Sequence, residues 1–155
     1  MSKFEFEIKS SVVSTVIKIS GFLDENFVHT DYKIPPCEKI VFDLEKLQGI
    51  NSCGIRDFIN LLKEIPSSAI VEYEKCPPLF IQQVNIVNGF LSSQRRVVSL
   101  YAPYIGVEDE DELNHFIDVR NLNISEVQKM ISVQGKDYEF DGVVEKYFRF
   151  LSLKL

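Results

Sequence analysis

The stretch Ile40-Val-Phe-Asp-Leu-Glu-Lys-Leu-Gln-Gly-Ile-Asn-Ser-Cys-Gly-Ile55 limits what this chain can fold into more than any other segment. Ile40, Val41 and Phe42 form an uninterrupted apolar run ending at Asp43, the pattern of a strand covered on both faces. Asn51-Ser52-Cys53-Gly54 then places small, turn-forming residues directly before an amphipathic helix. Such a junction leaves backbone N–H groups and the positive end of a helix dipole at the surface, beside a hydroxyl and a thiol. An anion, a phosphoryl group or a partner's carboxylate can be received there.

These residues carry a resemblance. The strand ending in Asp-Leu, followed by Ile50-Asn51-Ser52-Cys53-Gly54-Ile55, resembles the STAS domain (sulfate transporter and anti-sigma factor antagonist), whose turn is of the Asp-Ser-Ser-Gly type. Upstream, Val16-Ile-Lys-Ile-Ser-Gly-Phe-Leu-Asp24 is similar to that family's strand ending in Gly-x-Leu-Asp. The resemblance covers residues 3 to 101. It implies an α/β fold: a STAS-like mixed β-sheet with helices packed against it. It also implies a non-enzymatic interaction module of bacterial signalling, resembling anti-sigma factor antagonists. In those proteins a partner kinase phosphorylates a Ser or Thr of the turn, and the phosphate blocks docking. Here Cys53 stands at the acceptor position, Asn51 replaces the preceding acid, and Ser52 sits one place early. A simple phosphoswitch is therefore not expected, although Ser52 keeps a hydroxyl that a kinase can use.

The net charge of −6 argues against nucleic acid as a partner, because phosphate contacts need clustered Lys and Arg. Arg95-Arg96 is read as solvated surface. Cys37, Cys53 and Cys76 form no CxxC pair, and with only His29 and His115 to join them neither a zinc cluster nor a disulfide framework is expected. No apolar run approaches the ~18–20 residues that span a bilayer. The charged, alternating start Met-Ser-Lys-Phe-Glu-Phe-Glu is unlike a signal peptide, so a cytoplasmic location is expected.

Along the chain, Phe4, Phe6 and Ile8 alternate with charged residues as in a half-exposed strand, and Val12–Ile19 is rich in β-branched residues. A hairpin at Ser10-Ser11 joins them. Asp24-Glu25-Asn26 is a candidate start for a short helix, ended by Pro35-Pro36. Strands at 39–43 and 69–73 flank a helix over 53–64 that buries Ile55, Phe58, Ile59 and Leu62 and presents Arg56, Asp57, Asn60 and Lys63 outward. Pro77-Pro78 opens another helix through Val87, and 97–101 closes the first domain as a strand.

Residues 102–155 are expected as a C-terminal α+β extension ending in a helix. Glu108–Glu112 is an acidic run, either a solvated loop or a divalent-cation site; it lacks the ligand spacing and Gly of a calcium loop. A strand at 113–119 and a short helix near 123–130 follow. Residues 141–155 read as a terminal helix, apolar at Val143, Val144, Tyr147, Phe148, Phe150 and Leu151, which packs into the core or forms a homodimer surface. Ala102-Pro103-Tyr104 and Phe140-Asp141 to Leu151 resemble a ribbon appended to STAS-like domains in some bacterial proteins. The cysteine pairs of that ribbon are missing here, which implies that metal binding is lost.

The expected docking surface comprises Asn51, Ser52, Cys53, Gly54, Arg56, Asp57, Asn60 and Lys63, facing a protein partner of the anti-sigma factor, kinase or scaffold type. No cofactor, metal or catalytic residue is assigned. Cys53 as a nucleophile lacks a neighbouring His, and Asp24 with Asp43 as paired carboxylates lacks an oxyanion element. The alternative is a regulatory domain that binds a nucleotide or lipid at the turn or between sheet and tail, or an accessory subunit of lipid transport.

Overall fold

The computed structural model describes residues 3–155. The fold is α/β: a six-stranded mixed sheet with helices, joined to a four-stranded antiparallel sheet. β1 (Glu5–Ser10) and β2 (Ser14–Leu23) form an antiparallel hairpin in which Phe6 faces Ile19 and Ile8 faces Ile17. β3 (Lys39–Asp43) pairs in parallel with the first half of β2, and β4 (Leu47–Ile50) pairs with its end at Gly21–Leu23. Helix α1 (Ser52–Glu64) crosses to β5 (Ile70–Glu74), and α2 (Pro78–Ile86) crosses to β6 (Arg95–Val97), extending the parallel part.

Register explains the core. Thr15, Ile40 and Val71 lie in one cross-strand row, and Ile17, Phe42 and Tyr73 in the next. Every one of these side chains is buried under the helices. Phe58 of α1, Phe80 of α2 and Phe90 complete an aromatic cluster around Tyr73, with ring centroids 5.1–6.4 Å apart. The Tyr73 hydroxyl donates to Phe90 O at 2.6 Å, so its burial leaves no polar atom unmatched. A second ring group, Phe4, Phe6, Phe27 and Tyr32, fills the space beneath β1.

The opposite face of this sheet is polar. Alternate residues Glu7, Lys18, Asp43 and Glu74 share one row, and Val16, Val41, Glu72 and Arg96 the next. Glu72 is buried there between Lys39 and Arg96. Burial pushes its carboxyl up, but hydrogen bonds from both cations outweigh burial and hold it below the usual range.

The second sheet has the order β8-β7-β10-β9, with β7 (Ser99–Gly106), β8 (Glu112–Asp118), β9 (Ile131–Val133) and β10 (Lys136–Phe140). Cys76, fully buried, bridges to Leu100 and ties the two sheets. Helix α3 (Ile124–Val127) follows β8, and α4 (Val144–Tyr147) follows β10. Tyr147, Phe148 and Phe150 pack inward, and the Tyr147 hydroxyl donates to Tyr101 O.

Three expectations about the elements need correction, and one hairpin is additional. Asp24 starts no helix; it accepts from Asn26 N–H in a turn, and a single 3₁₀ turn at His29–Asp31 follows. The strand expected at 97–101 is two strands in different sheets, and the boundary expected after Tyr101 lies inside β7. The terminal helix expected over 141–155 has only four α-helical residues, then a 3₁₀ turn at Arg149–Ser152. Its break is held by Asn85 of α2, which donates to Tyr147 O and accepts from Phe150 N–H, each at 2.8 Å. Ile131 to Phe140, for which the sequence analysis assigns no element, is a hairpin. Gln134 (φ 51°) and Gly135 (φ 77°) take the two left-handed positions of its tight turn.

Candidate functional site

The corner where β4 hands over to α1 is built from three hydrogen bonds and one close backbone approach. Asn51, in extended conformation, accepts from Gly54 N–H at 3.0 Å and caps the helix. Its side-chain amide donates to Glu25 at 3.0 Å, and its own N–H donates to Leu23 O, also at 3.0 Å. Gly54 is required: a Cβ there would stand 2.1 Å from Leu23 O. The glycine therefore serves close backbone approach.

Asn51 and Ser52 are exposed and Cys53 is half-buried. Arg56 and Lys63 are exposed and Asn60 half-buried, so these residues share the outward strip running from the corner along α1. Asp57 does not belong to it. Only 8% exposed, it turns inward and accepts from His29 Nδ1 at 2.9 Å and from Arg56 at 2.9 Å. The His29 bond, then the Arg56 guanidinium, holds its carboxyl below the ordinary value. His29 Nε2 lies 3.6 Å from Glu64, so the ring bridges two turns of α1 and locks the 24–32 segment against the helix. The buried face of α1 is also shifted: Leu61 is buried, while Ile55 and Ile59 are half-buried.

His29 and Glu64 were missed because neither sits in a motif. A lone His between short loop segments carries no local sign of its partner. The other proposed chemistry is dispersed. Asp43 accepts from Glu45 N–H and lies 3.6 Å from Lys75. Arg95 is not solvated surface: it donates to Gly89 O at 2.8 Å and Leu62 O at 3.2 Å, and Arg96 pairs with Glu72. In the acidic loop, Asp109 and Asp111 both hold Lys136, at 2.6 and 3.0 Å. Among the described residues, no three His, Cys, Asp or Glu side chains gather as a metal site. All three cysteines are free, and burial pushes the Cys76 thiol well up.

A cavity of about 300 Å³ opens elsewhere, between the end of α1 and the Lys33–Cys37 segment. Ile34, Pro35, Ile40, Leu61 and Ile65 make it apolar, with Lys33 and Glu64 among its lining residues. It lies neither at the turn nor between sheet and tail. Among the described residues, no helix is long and apolar enough to cross a membrane. Compared with models of known protein families the chain matches none, and a search of curated proteins finds no match.

Proposed function

We propose that this chain is a STAS-like, non-enzymatic protein-interaction module that docks through the Asn51–Gly54 corner and the outward strip of α1. The observation that carries the reading is the corner itself. Its backbone is fixed by Asn51 and by the contact of Gly54 with Leu23, yet Asn51 and Ser52 face solvent. A fixed surface loses little conformational entropy on binding, which favours affinity per contact. Arg56, Asn60 and Lys63 supply polar rim contacts, and Asp57 acts behind them by holding Arg56.

Docking is constitutive in this reading, since Cys53 offers no hydroxyl. Phosphorylation of the exposed Ser52 would add about −1.5 to −2 of charge at the helix start and oppose docking. The partner is an anti-sigma factor, kinase or scaffold protein. The test uses affinity capture from the native host with three baits: the unaltered chain, Cys53→Glu, and a control altered on the second sheet, Glu139→Lys. A protein held by the first and third baits and reduced at least about tenfold on Cys53→Glu, or roughly 1.4 kcal/mol, supports the reading. Equal capture by a folded Cys53→Glu bait removes the corner as the docking face. Capture of membrane-transport subunits would move the protein to a lipid-transport accessory role.

The cavity beside Ile34 and Leu61 favours a second reading, a ligand-binding regulator. A fatty acid or nucleotide that binds there raises the melting temperature with the logarithm of its concentration. A flat response to both disposes of this alternative.

A further inference from the structure

β1 pairs with β2 on one side and with no described strand on the other. Free edges recruit other strands unless proline, bulges, charged side chains or a covering segment prevent it, so the charges on β1 decide what it can pair with. β1 has no proline and its pairing with β2 runs without a bulge from Glu5 to Ser10. Its charges are also sorted. Glu5, Glu7 and Lys9 stand opposite Ser20, Lys18 and Val16 on the open face, while Phe6 and Ile8 point to the helix-covered face. Among the described residues, no ion pair within the chain engages Glu5, Glu7 or Lys9.

Consider β1 laid antiparallel against β1 of a second copy across a twofold axis. Facing residues must point the same way, so the axis falls on a residue and not between two. Centred on Glu7, each Glu5 faces Lys9 of the other copy and each Phe6 faces Ile8. The two Glu7 side chains then meet, each beside its own Lys18. Centred on Ile8, each Lys9 faces Glu7. Both arrangements set an acid against a base twice. Centring on Phe6 would set Glu5 against Glu7 twice, and cross-strand like charges destabilise.

We infer that the chain self-associates as a twofold dimer through its β1 edges, with Lys9 of each copy facing a glutamate of the other and the two six-stranded sheets made continuous. The partner is a second copy of this chain because the edge is complementary to itself in charge. This inference stands apart from docking at the α1 corner.

Sedimentation across a concentration series tests it. The unaltered chain should move from its monomer mass of 17.9 kDa toward twice that value. Raising salt from about 50 mM to about 500 mM should weaken the dimer, because screening acts on the exposed pairs. Lys9→Glu makes the strand wholly acidic, and Glu5→Lys with Glu7→Lys makes it wholly basic. Each variant alone should dimerise at least about tenfold more weakly. Their equimolar mixture should recover a heterodimer. An unaltered chain that stays monomeric to about 1 mM, roughly the weakest association such a series resolves, overturns the inference. So does undiminished dimerisation of Lys9→Glu, or a dimer of the unaltered chain that tightens with salt. A mixture of the two variants, each shown folded by circular dichroism, that fails to associate also overturns it.

Discussion

Asp57 is the residue whose surroundings alter its role most. On a helical wheel it belongs with Arg56, Asn60 and Lys63, yet it is drawn inward by His29, twenty-eight positions earlier. Its carboxyl is held below the ordinary value, so its contribution to stability is present above about pH 4, near the unfolded value. That contribution is lost as pH falls through the lower folded value. Glu72, held down between Lys39 and Arg96, acts in the same direction. Asp57→Asn should therefore be less stable at neutral pH and show a shallower loss between about pH 4 and pH 2, measured by urea unfolding at each pH. A variant as acid-sensitive as the unaltered chain would remove Asp57 from that balance. Wheel periodicity finds apolar stripes well, but it cannot see a polar partner supplied from a distant loop. That is why Asp57 was assigned to the wrong side.

At the scale of elements, α1 tests how much a single approach controls. Gly54→Ala would place a methyl 2.1 Å from Leu23 O, where backbone and not a flexible side chain must yield. Overpacking of this kind costs at least about 2 kcal/mol, whereas Asn51→Ala, which removes the cap, costs about 1 kcal/mol. Chemical denaturation should rank the two in that order, and the reverse order would mean that the corner relaxes. The elements legible in the sequence were those carrying their own signal. β3, α1 and α2 stand close to where periodicity, Asn51 and Pro77-Pro78 set them. The β9–β10 hairpin carries a weaker local signal, Gln134-Gly135 between alternating segments. The broken terminal helix had none. Its interruption depends on Asn85, more than sixty residues away, which no local pattern encodes.

Over the whole molecule, the two sheets depend on each other. α2 and the Cys76 bridge lie against β7, and Tyr147 and Phe150, tied to Asn85 of α2, pack beside them. A chain cut after Tyr101 would end inside β7, and Asn85 of α2 would lose both of its partners in the tail. It should lose the single cooperative unfolding transition expected of the full chain, as followed by near-ultraviolet circular dichroism and urea. Retention of a sharp transition by residues 1–101 would mean that the first sheet folds alone. The α/β class was legible because it needs only strand and helix order. The union of the sheets was not, because the change of sheet between β6 and β7 occurs at Val98, one ordinary residue in an apolar run.

Arg95 carries a mechanical consequence. One guanidinium grips the carbonyl of Leu62 near the end of α1 and that of Gly89 just past α2. The two crossover helices are thereby yoked at their trailing ends, so a push that tilts one is transmitted to the other through a single planar fork.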